Sequence, residues 1–385
     1  MRILVYGGSF DPPHRAHMLM LDAAIRTLRP DRVRVVPAYR SPLKPGANAS
    51  GERRLRLTEL AVRDCLPAAR RRIVKVDPFE VRRGRTTYTW ETLRHLNRKH
   101  PGAELVFLIG SDALADFGSW KRPGELARLC RFAVGRRAAA PAPALPKGPG
   151  LPRFTFIPGR FPDLSSTDAR RRCLTGEDLS HALPRRVLKH VRRHSLYGLD
   201  LYDRLARELG PERFEHTVSV ARQAAVLAIR HGLDAERAAL AGLLHDCGRC
   251  IPIGKMADYA RRRRLRVPYR EETARQKPLL LHAHIGSDLA RRRFGVSDPE
   301  VLSAIRNHAL GSARMSALDR LIYTADACSA DRDFPQARLI RRAALADLAE
   351  GYREAVRRKI EHILETGRWL HPSGALAWNA ALSPS

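Results

Sequence analysis

The chain has 385 residues, a length that suits two domains, and its 44% of hydrophobic residues excludes wholesale disorder. The formal net charge of +30 favours anionic partners, but the excess is arginine spread along the chain and only 6% of residues are aromatic, which argues against nucleic acid as the main partner. Six cysteines without a disulfide spacing, the lack of a charged-then-apolar leader and the lack of a long apolar run predict a cytoplasmic protein with no membrane partner.

Strands and helices alternate through the first half of the chain. Strands are expected at 2–8, 32–38, 71–81 and 103–114, and helices at 16–28, 51–66 and 89–100. This alternation predicts an α/β domain with a doubly wound, Rossmann-like parallel sheet over residues 1–194. The stretch 136–154, rich in alanine, proline and glycine, is interpreted as a surface loop of that domain. From residue 195 to 385 helix follows helix, which predicts an all-α second domain.

The first chemical motif, GGSFDPPHRAH at residues 7–17, follows the first predicted strand. Its glycines let the backbone approach a ligand, and its prolines suit the first turn of a helix. His14 and His17 would then lie on one face of a helix amino terminus, where free N–H groups and two imidazoles favour phosphate. The motif is neither a Walker loop nor G-x-G-x-x-G, and from the residues alone a metal pair and a structural turn stay open.

Five segments, in the same order, resemble the HxGH nucleotidyltransferases and especially the bacterial nicotinate-nucleotide adenylyltransferases. They are GGSFDPPHRAH (7–17), TTYTWETL (86–93), FLIGSDAL (107–114), SW (119–120) and LSSTDARRR (164–172), and the resemblance covers residues 1 to about 190. The chain departs from the family at Ala16, where the family usually has glycine. We expect tolerance with altered affinity, because alanine is the smallest change and favours helix.

The resemblance implies that the phosphate of nicotinate mononucleotide attacks the α-phosphorus of ATP and releases pyrophosphate, with Mg²⁺ arriving on ATP. It implies that His14 and His17 are catalytic and contact the ATP phosphates. The other implied ATP contacts are Gly7, Gly8, Ser9, Phe10, Lys44, Ser166, Thr167 and Arg170, and those to the nicotinate nucleotide are Thr87, Tyr88, Asp112 and Trp120. For three of these residues an interpretation without a ligand stays open. Lys44 could be a solvated loop lysine, Asp112 a helix cap and Trp120 a core aromatic residue.

Histidine and aspartate recur on separate apolar helices of the second half. A single histidine on such a face is usually a satisfied core residue, but several helices that each offer one indicate a metal site. Imidazole and carboxylate together suit iron, manganese or zinc. Cys247 and Cys250 form a C-x-x-C without a second cysteine pair, and we interpret them as packing residues. The recurring residues are His216, His245, Asp246, His282, His284, His308, Asp326 and Asp331.

This pattern resembles the HD phosphohydrolase superfamily, and residues 282–335 resemble the symmetrical diadenosine tetraphosphate (Ap4A) hydrolases within it. The resemblance covers about 200–372 and implies cleavage of Ap4A into two ADP at a pair of divalent metals, expected to be iron, with manganese and zinc as alternatives. It implies that Asp246 is catalytic as the bridging ligand, and it leaves His284 unassigned. The implied metal ligands are His216, His245, Asp246, His282, His308 and Asp326, and the implied phosphate contacts are Arg249 and Arg332.

Other functions stay open at this point. The same folds can serve another mononucleotide acceptor and an HD nucleotide phosphodiesterase. In a different class, the second domain would be a module that senses a nucleotide or binds nucleic acid. The expected partners are ATP, nicotinate mononucleotide and Ap4A, whose negative charge matches the basic composition. A homodimer is compatible with the sequence, which does not decide the oligomeric state.

Overall fold

The computed structural model describes residues 1–40, 48–138 and 151–382. The chain divides into two compact units, Met1–Arg170 with Asp178–Tyr197, and Arg171–Glu177 with Gly198–Ser385. The division predicted between residues 194 and 195 lies near the end of the first unit, but that prediction placed Arg171–Glu177 in the first domain. This segment belongs to the second unit because Leu174 is part of its apolar core and the carbonyl of Thr175 accepts from Nε of Arg222 at 3.1 Å.

The first unit is built on a six-stranded sheet with the order β3-β2-β1-β4-β5-β6. Its strands are all parallel, so the predicted doubly wound α/β class is confirmed. The sequence of β1 and β4 is apolar in nearly every position because both strands are covered on both faces. The strands are β1 (Arg2–Gly8), β2 (Arg32–Pro37), β3 (Val74–Val76), β4 (Glu104–Gly110), β5 (Arg131–Arg137) and β6 (Phe154–Phe161).

The strand order reverses between β1 and β4, which pair with Ile3 opposite Leu105. In sheets of this kind the crevice beyond the carboxyl ends at such a point is where ligands bind. The motif after β1 and the G-S-D turn after β4 both lie there. Strand order therefore brings together two segments that are about a hundred residues apart in the chain.

Helices connect these strands, and most agree with the predicted positions. The predicted strand 71–81 is wrong over most of its length: only Val74–Val76 is strand, and Phe79–Arg83 is a helix. Pro78 immediately precedes that helix as its N-cap and cannot donate a ladder hydrogen bond. The helices are α1 (Arg15–Leu28), α2 (Gly51–Cys65), α3 (Ala68–Arg71), α4 (Phe79–Arg83), α5 (Thr89–Lys99), α6 (Ser111–Ala115), α7 (Pro123–Leu129), α8 (Ser166–Thr175) and α9 (Arg185–Arg193).

The second unit is helical, as predicted, around a core rich in alanine and leucine. Small side chains let its helices approach closely: a Cβ on Gly242 would lie 2.8 Å from the Cα of Ala221. Its helices are α10 (Leu199–Glu208), α11 (Pro211–Arg230), α12 (Ala235–Leu244), α13 (Ile253–Arg262), α14 (Arg270–Gln276), α15 (His282–Arg292), α16 (Pro299–Asn307), α17 (Ala317–Cys328), α18 (Pro335–Ala346), α19 (Leu348–Glu365) and α20 (Pro372–Leu382).

Two other expectations can be compared with the fold. None of the helices in the described part of the chain combines the length and apolar character needed to span a membrane. All six cysteines are free, in agreement with the absence of a disulfide framework. The Cys247 thiol is buried and lies 3.3 Å from the carbonyl oxygen of Gly286, which agrees with a packing role.

Candidate active sites

A cavity of about 420 Å³ lies at the carboxyl ends of β1, β4 and β5 in the first unit. It brings together most of the residues that the sequence assigned to ATP and to the nicotinate nucleotide. Thr167 and Arg170 are not part of its lining, and Lys44 lies outside the described residues. The assigned residues that line it are Gly7, Gly8, Ser9, Phe10, His14, His17, Thr87, Tyr88, Asp112, Trp120 and Ser166.

His14 and His17 form the amino terminus of α1. The helix begins at Arg15, so the two prolines precede it and do not begin it as expected; His14 is the N-cap. The two rings stack with centroids 3.5 Å apart. Nδ1 of His17 accepts from the backbone N–H of His14 at 3.1 Å, and Nδ1 of His14 accepts from that of His17 at 3.4 Å. With both Nδ1 atoms acting as acceptors, a neutral ring carries its proton on Nε2, which makes that nitrogen the donor of each ring.

The two glycines of the motif have a second role that the sequence did not reveal. A Cβ on Gly7 would lie 2.9 Å from the ring of Phe107, and one on Gly8 would lie 3.1 Å from the ring of Phe10. A side chain at Gly7 would therefore displace the Phe107 ring, and one at Gly8 would crowd the Phe10 ring, whatever ligand the cavity takes.

The start of α8 is tied to the turn before α1. Ser166 Oγ donates to the carbonyl of Pro12 at 2.8 Å, and Nη1 of Arg170 donates to the carbonyl of Asp11 at 2.7 Å. Thr167 Oγ1 accepts from Nη2 of Arg170 at 3.3 Å. Arg170 thus positions the turn between β1 and α1, so its predicted role as an ATP contact remains a prediction.

Arg54 is a site residue that the sequence analysis missed. Its side chain on α2 is 1% exposed. The guanidinium donates to the carbonyls of Ser9 at 2.8 Å, Tyr39 at 2.7 Å and Ala49 at 3.0 Å, and also to that of Ala38. A buried arginine is stable only with such partners, and here they hold the loops around the cavity in place.

The opposite wall of the cavity carries Trp120 and Asp112. The indole ring packs on Phe117 and Phe132, with centroids 5.4 and 5.9 Å away, and it also lines the cavity. Its contact with the nicotinate nucleotide stays a prediction. Its Nε1 is buried without a hydrogen-bond partner in the described part of the chain. Asp112 pairs with Arg137 at 2.8 Å, a partner that no motif signalled.

Glu80 is a second missed residue of this cavity. Its carboxyl is buried on α4 and accepts from Thr92 Oγ1 at 2.6 Å. Burial raises its pKa to about 7, against the smaller opposing effect of the Thr92 hydrogen bond. The cavity therefore contains a carboxyl that titrates near neutral pH.

The predicted metal ligands of the second unit lie together although they come from distant helices. Potential ligand atoms of His216, His245 and Asp246 lie within 4.8 Å of one another, as do those of the overlapping groups His245, His308, Asp326 and Asp246, His282, His308. Asp246 Oδ1 is 3.1 Å from Nε2 of His282 and 3.6 Å from Nε2 of His308. All six residues assigned as ligands converge, with Asp246 shared as the bridging role requires.

Three of the histidines are oriented by the carbonyls of their own chain segments. The Nδ1 atoms of His245, His282 and His308 lie 2.7, 2.6 and 2.7 Å from the carbonyl oxygens three residues earlier. A carbonyl only accepts, so each Nδ1 carries the proton and each Nε2 turns a lone pair into the cluster. Gly242 provides the carbonyl oxygen that accepts from His245. The same residue lets α12 approach α11 closely at Ala221.

His216 and Asp331 form the outer edge of the cluster. His216 Nε2 lies 3.1 Å from Asp326 Oδ1, and its Nδ1 lies 2.7 Å from Asp331 Oδ2. Burial lowers the pKa of His216, but the two aspartates outweigh it and leave the pKa raised. Asp331 therefore acts behind His216 as its orienting carboxylate. His284 is half-buried on α15 and belongs to none of the ligand groups among the described residues.

Arginines contact the two carboxylates at the centre. Asp246 accepts from Arg213 at 3.0 Å and from Arg249 at 3.2 Å, and Asp326 accepts from Arg332 at 2.8 Å. Arg249 and Arg332, predicted as phosphate contacts, thus lie beside the ligands, and Arg213 is a third arginine that the sequence did not indicate.

The donor set suits a metal pair. Nε2 of His245 is completely buried and has no hydrogen-bond partner in the described part of the protein, an arrangement that a bound cation would satisfy. Burial lowers the pKa of His245 to about 4, which keeps the ring neutral as a ligand must be. Four imidazole nitrogens and two carboxylates form a mixed set that iron, manganese and zinc all accept.

Comparison with known proteins places relatives on both units. Residues 5–172 match the cytidylyltransferase-like family, and residues 213–331 match the HD domain family. A protein of Mycoplasma genitalium described as a "probable nicotinate-nucleotide adenylyltransferase/Ap4A hydrolase" is 28% identical over 331 residues, which cover 86% of this chain and 88% of that protein.

Two further relatives each correspond to about half of the chain. A "probable nicotinate-nucleotide adenylyltransferase" of Rhodopirellula baltica is 33% identical over 202 residues, which cover 50% of this chain and 92% of that protein. A crystal structure from Clostridium acetobutylicum of a "predicted HD superfamily hydrolase involved in NAD metabolism" is 31% identical and covers 48% of this chain and 95% of that one, with a TM-score of 0.45.

Proposed function

This chain belongs to the nicotinate-nucleotide adenylyltransferase family over its first half and carries an HD domain in its second, and on that premise we propose that it is a bifunctional enzyme. The first unit joins ATP and nicotinate mononucleotide into nicotinate adenine dinucleotide and pyrophosphate. The second unit hydrolyses Ap4A to two ADP. The observation that carries the second activity is the convergence of four histidines with Asp246 and Asp326 in three overlapping ligand groups, two of which share Asp246.

In the first reaction, an oxygen of the nicotinate mononucleotide phosphate bonds to the α-phosphorus of ATP. The bond from that phosphorus to the bridging oxygen breaks, and its electron pair leaves with pyrophosphate. His14 and His17 donate from Nε2 to the transferring phosphate, where negative charge develops. Mg²⁺ bound to the ATP phosphates supplies further charge neutralisation. Positioning and electrostatics account for the rate, since the protein forms no covalent bond.

The nicotinate end of the cavity is assigned to the wall with Trp120. The indole face stacks on the pyridine ring, and its unpartnered Nε1 is a donor for the ligand. Thr87, Tyr88 and Asp112 complete this end of the cavity. The nearest alternative acceptor is nicotinamide mononucleotide, which has an amide in place of the carboxylate of nicotinate mononucleotide. Selectivity for the carboxylate over the amide therefore distinguishes the two acceptors.

In the second reaction, one water is added across a phosphoanhydride bond of Ap4A and the tetraphosphate chain is divided evenly. His216, His245, Asp246, His282, His308 and Asp326 would hold two divalent metals. Such a pair supplies an activated water and neutralises charge on the phosphate chain. Arg213, Arg249 and Arg332 lie beside these ligands and bind the phosphate oxygens that extend from the cleavage point.

One assay panel on metal-analysed protein tests both activities. Nicotinate and nicotinamide mononucleotides are each offered with ATP, and Ap4A is offered separately, with products resolved by chromatography. We expect turnover of the nicotinate nucleotide and ADP as the sole product from Ap4A. His17→Ala should abolish only the first activity and Asp246→Ala only the second. If the purified protein leaves Ap4A intact and binds DNA with a steep salt dependence, the assignment of the second unit is wrong.

A further inference from the structure

A second cavity, of about 500 Å³, adjoins the metal-ligand cluster at Asp326. Its volume is typical of small-molecule sites. We propose that this cavity, called here the Lys359 cavity, binds one nucleoside 5′-phosphate half of the dinucleoside polyphosphate; the proposal rests on the proposed hydrolase function. The lining residues that carry the argument are Tyr323, Arg332, Phe334, Gln336, Lys359 and His362.

Lys359 supplies positive charge for the nucleoside 5′-phosphate half of the substrate. Its Nζ donates to the carbonyl of Ala309 and lies 4.8 Å from the centre of the Tyr323 ring. Within the described part of the chain no carboxylate forms an ion pair with it, and burial lowers its pKa. A bound anion would offset that cost of burial, because it stabilises the ammonium form.

The two arginines of the lining each form an ion pair with a carboxylate. Arg332 donates to the carboxylate and to the carbonyl of Asp326, at 2.8 and 2.6 Å. Arg358 pairs with Glu354 at 2.7 Å and with Glu361 at 3.3 Å. Among the described lysine and arginine residues of the lining, Lys359 is therefore the one that forms no ion pair with a carboxylate, although Asp326 lies near enough to raise its pKa against the larger effect of burial. It lies next to the cluster proposed to hold the phosphate chain.

The charge along α19 orients the ligand. Glu365 also lines the cavity, six residues after Lys359 and so about 9 Å further along the helix axis. A carboxylate there repels phosphate and can accept from an exocyclic amine of a base. The phosphates would therefore point towards Asp326 and the nucleoside towards the carboxyl-terminal end of α19.

Phe334 and Gln336 give this cavity the features of a base-binding site. The Phe334 side chain is 40% exposed at the N-cap of α18 and lines the cavity, so an aromatic face is available for stacking. Gln336 offers both a donor and an acceptor to the edge of a base. The cavity beside Arg213 and Arg249 measures only about 290 Å³ and has no aromatic lining residue in the described structure. The two halves of a symmetrical substrate would thus be held unequally.

The test uses the full chain loaded with iron or manganese. Phe334→Ala should raise the KM for Ap4A about tenfold with little change in kcat, because stacking is lost from a bound base. Lys359→Gln should lower kcat/KM for Ap4A by a similar factor. Leu339→Ala, an exposed change on the same helix as Gln336 but outside the cavity, is the matched control. Bis(p-nitrophenyl) phosphate, which has no base, should respond to Phe334→Ala far less than Ap4A does.

Photolabelling separates this proposal from the proposed function. Azido-ADP should label peptides within 323–365, with protection by unlabelled ADP and loss in Phe334→Ala, besides any label in the first unit. Label at 323–365 without hydrolysis of Ap4A would retain the nucleoside site and remove the hydrolase assignment. Label confined to the first unit, together with an unchanged KM in Phe334→Ala, would overturn the nucleoside site.

Discussion

Nε2 of His282 and Nε2 of His308 face each other at 3.0 Å in the interior of the second unit, and the Nδ1 of each ring is already a donor to a carbonyl. Two lone pairs directed at each other repel unless a cation lies between or beside them. The geometry of these two nitrogens is therefore suited to a cation that lies between or beside them.

Metal removal should therefore destabilise the second unit. We expect chelated protein to melt at a lower temperature than metal-loaded protein, and re-addition of iron or manganese to restore the difference. A metal present at a hundred times its Kd stabilises by about 2.7 kcal/mol. Calorimetry measures the melting temperature, and elemental analysis measures the amount of bound metal. Asp246→Ala should lose most of the metal-dependent shift, and an equal shift in that variant would contradict the ligand assignment.

Asp331→Asn should weaken metal binding without removing a ligand. The Asp331 carboxylate orients His216 through its Nδ1 at 2.7 Å, and loss of such an outer partner costs about 10–100-fold in affinity. Competition with a chelator measures this affinity. Asp333→Asn is the matched control, because that side chain is 80% exposed and pairs with Arg338 on the surface. An equal effect of both changes would exclude the orienting role.

Glu80→Gln should stabilise the first unit in a pH-dependent way. Since burial raises the pKa of Glu80 from 4.5 to about 7, the folded protein keeps a proton that the unfolded chain releases. The contribution of protonated Glu80 is complete below pH 4.5 and is lost as the pH rises through about 7. The variant should match the wild type near pH 4.5 and exceed it by up to about 3 kcal/mol near pH 8. Exposed Glu59→Gln should show no such trend.

Ala16→Gly should retain adenylyl transfer and alter the KM for ATP. Ala16 is buried in the first turn of α1 and lines the cavity, so its methyl group occupies space beside the expected phosphates. We expect a lower KM for ATP and a stability cost of about 0.5–1 kcal/mol from glycine in the helix. Ala16→Val should raise the KM instead. Equal KM values in all three proteins would show that this position does not contact ATP.

Much of the protein could be predicted from local pattern. The parallel sheet followed by a helical domain was confirmed, and the relatives confirmed the family resemblance. The predicted strand 71–81 is wrong because only Val74–Val76 is strand and Pro78 immediately precedes a helix that begins at Phe79. Arg171–Glu177 groups with the second compact unit, a feature that depends on packing and that the local sequence pattern does not show.

Residues without a motif could not be found in this way. Arg54, Arg137 and Arg213 are three of many arginines in the sequence, and each is distinguished only by the carbonyl or carboxylate that it meets in the fold. Glu80 gains its shifted pKa from burial, which the short sequence around it does not show. Lys359 lies beyond the segments that carry the motifs and reaches the cluster through the packing of α19.

The sequence by itself determined that an α/β domain precedes a helical one, the two classes of reaction, and which histidines and aspartates form the sites. These features follow from periodicity and motif spacing, which are local properties of the chain. Tertiary structure decided which nitrogen of each histidine carries the proton, which arginine neutralises which carboxylate and where cavities open. Those features depend on contacts between residues far apart in the chain, such as His216 with Asp331, and such contacts exist only once the helices have packed.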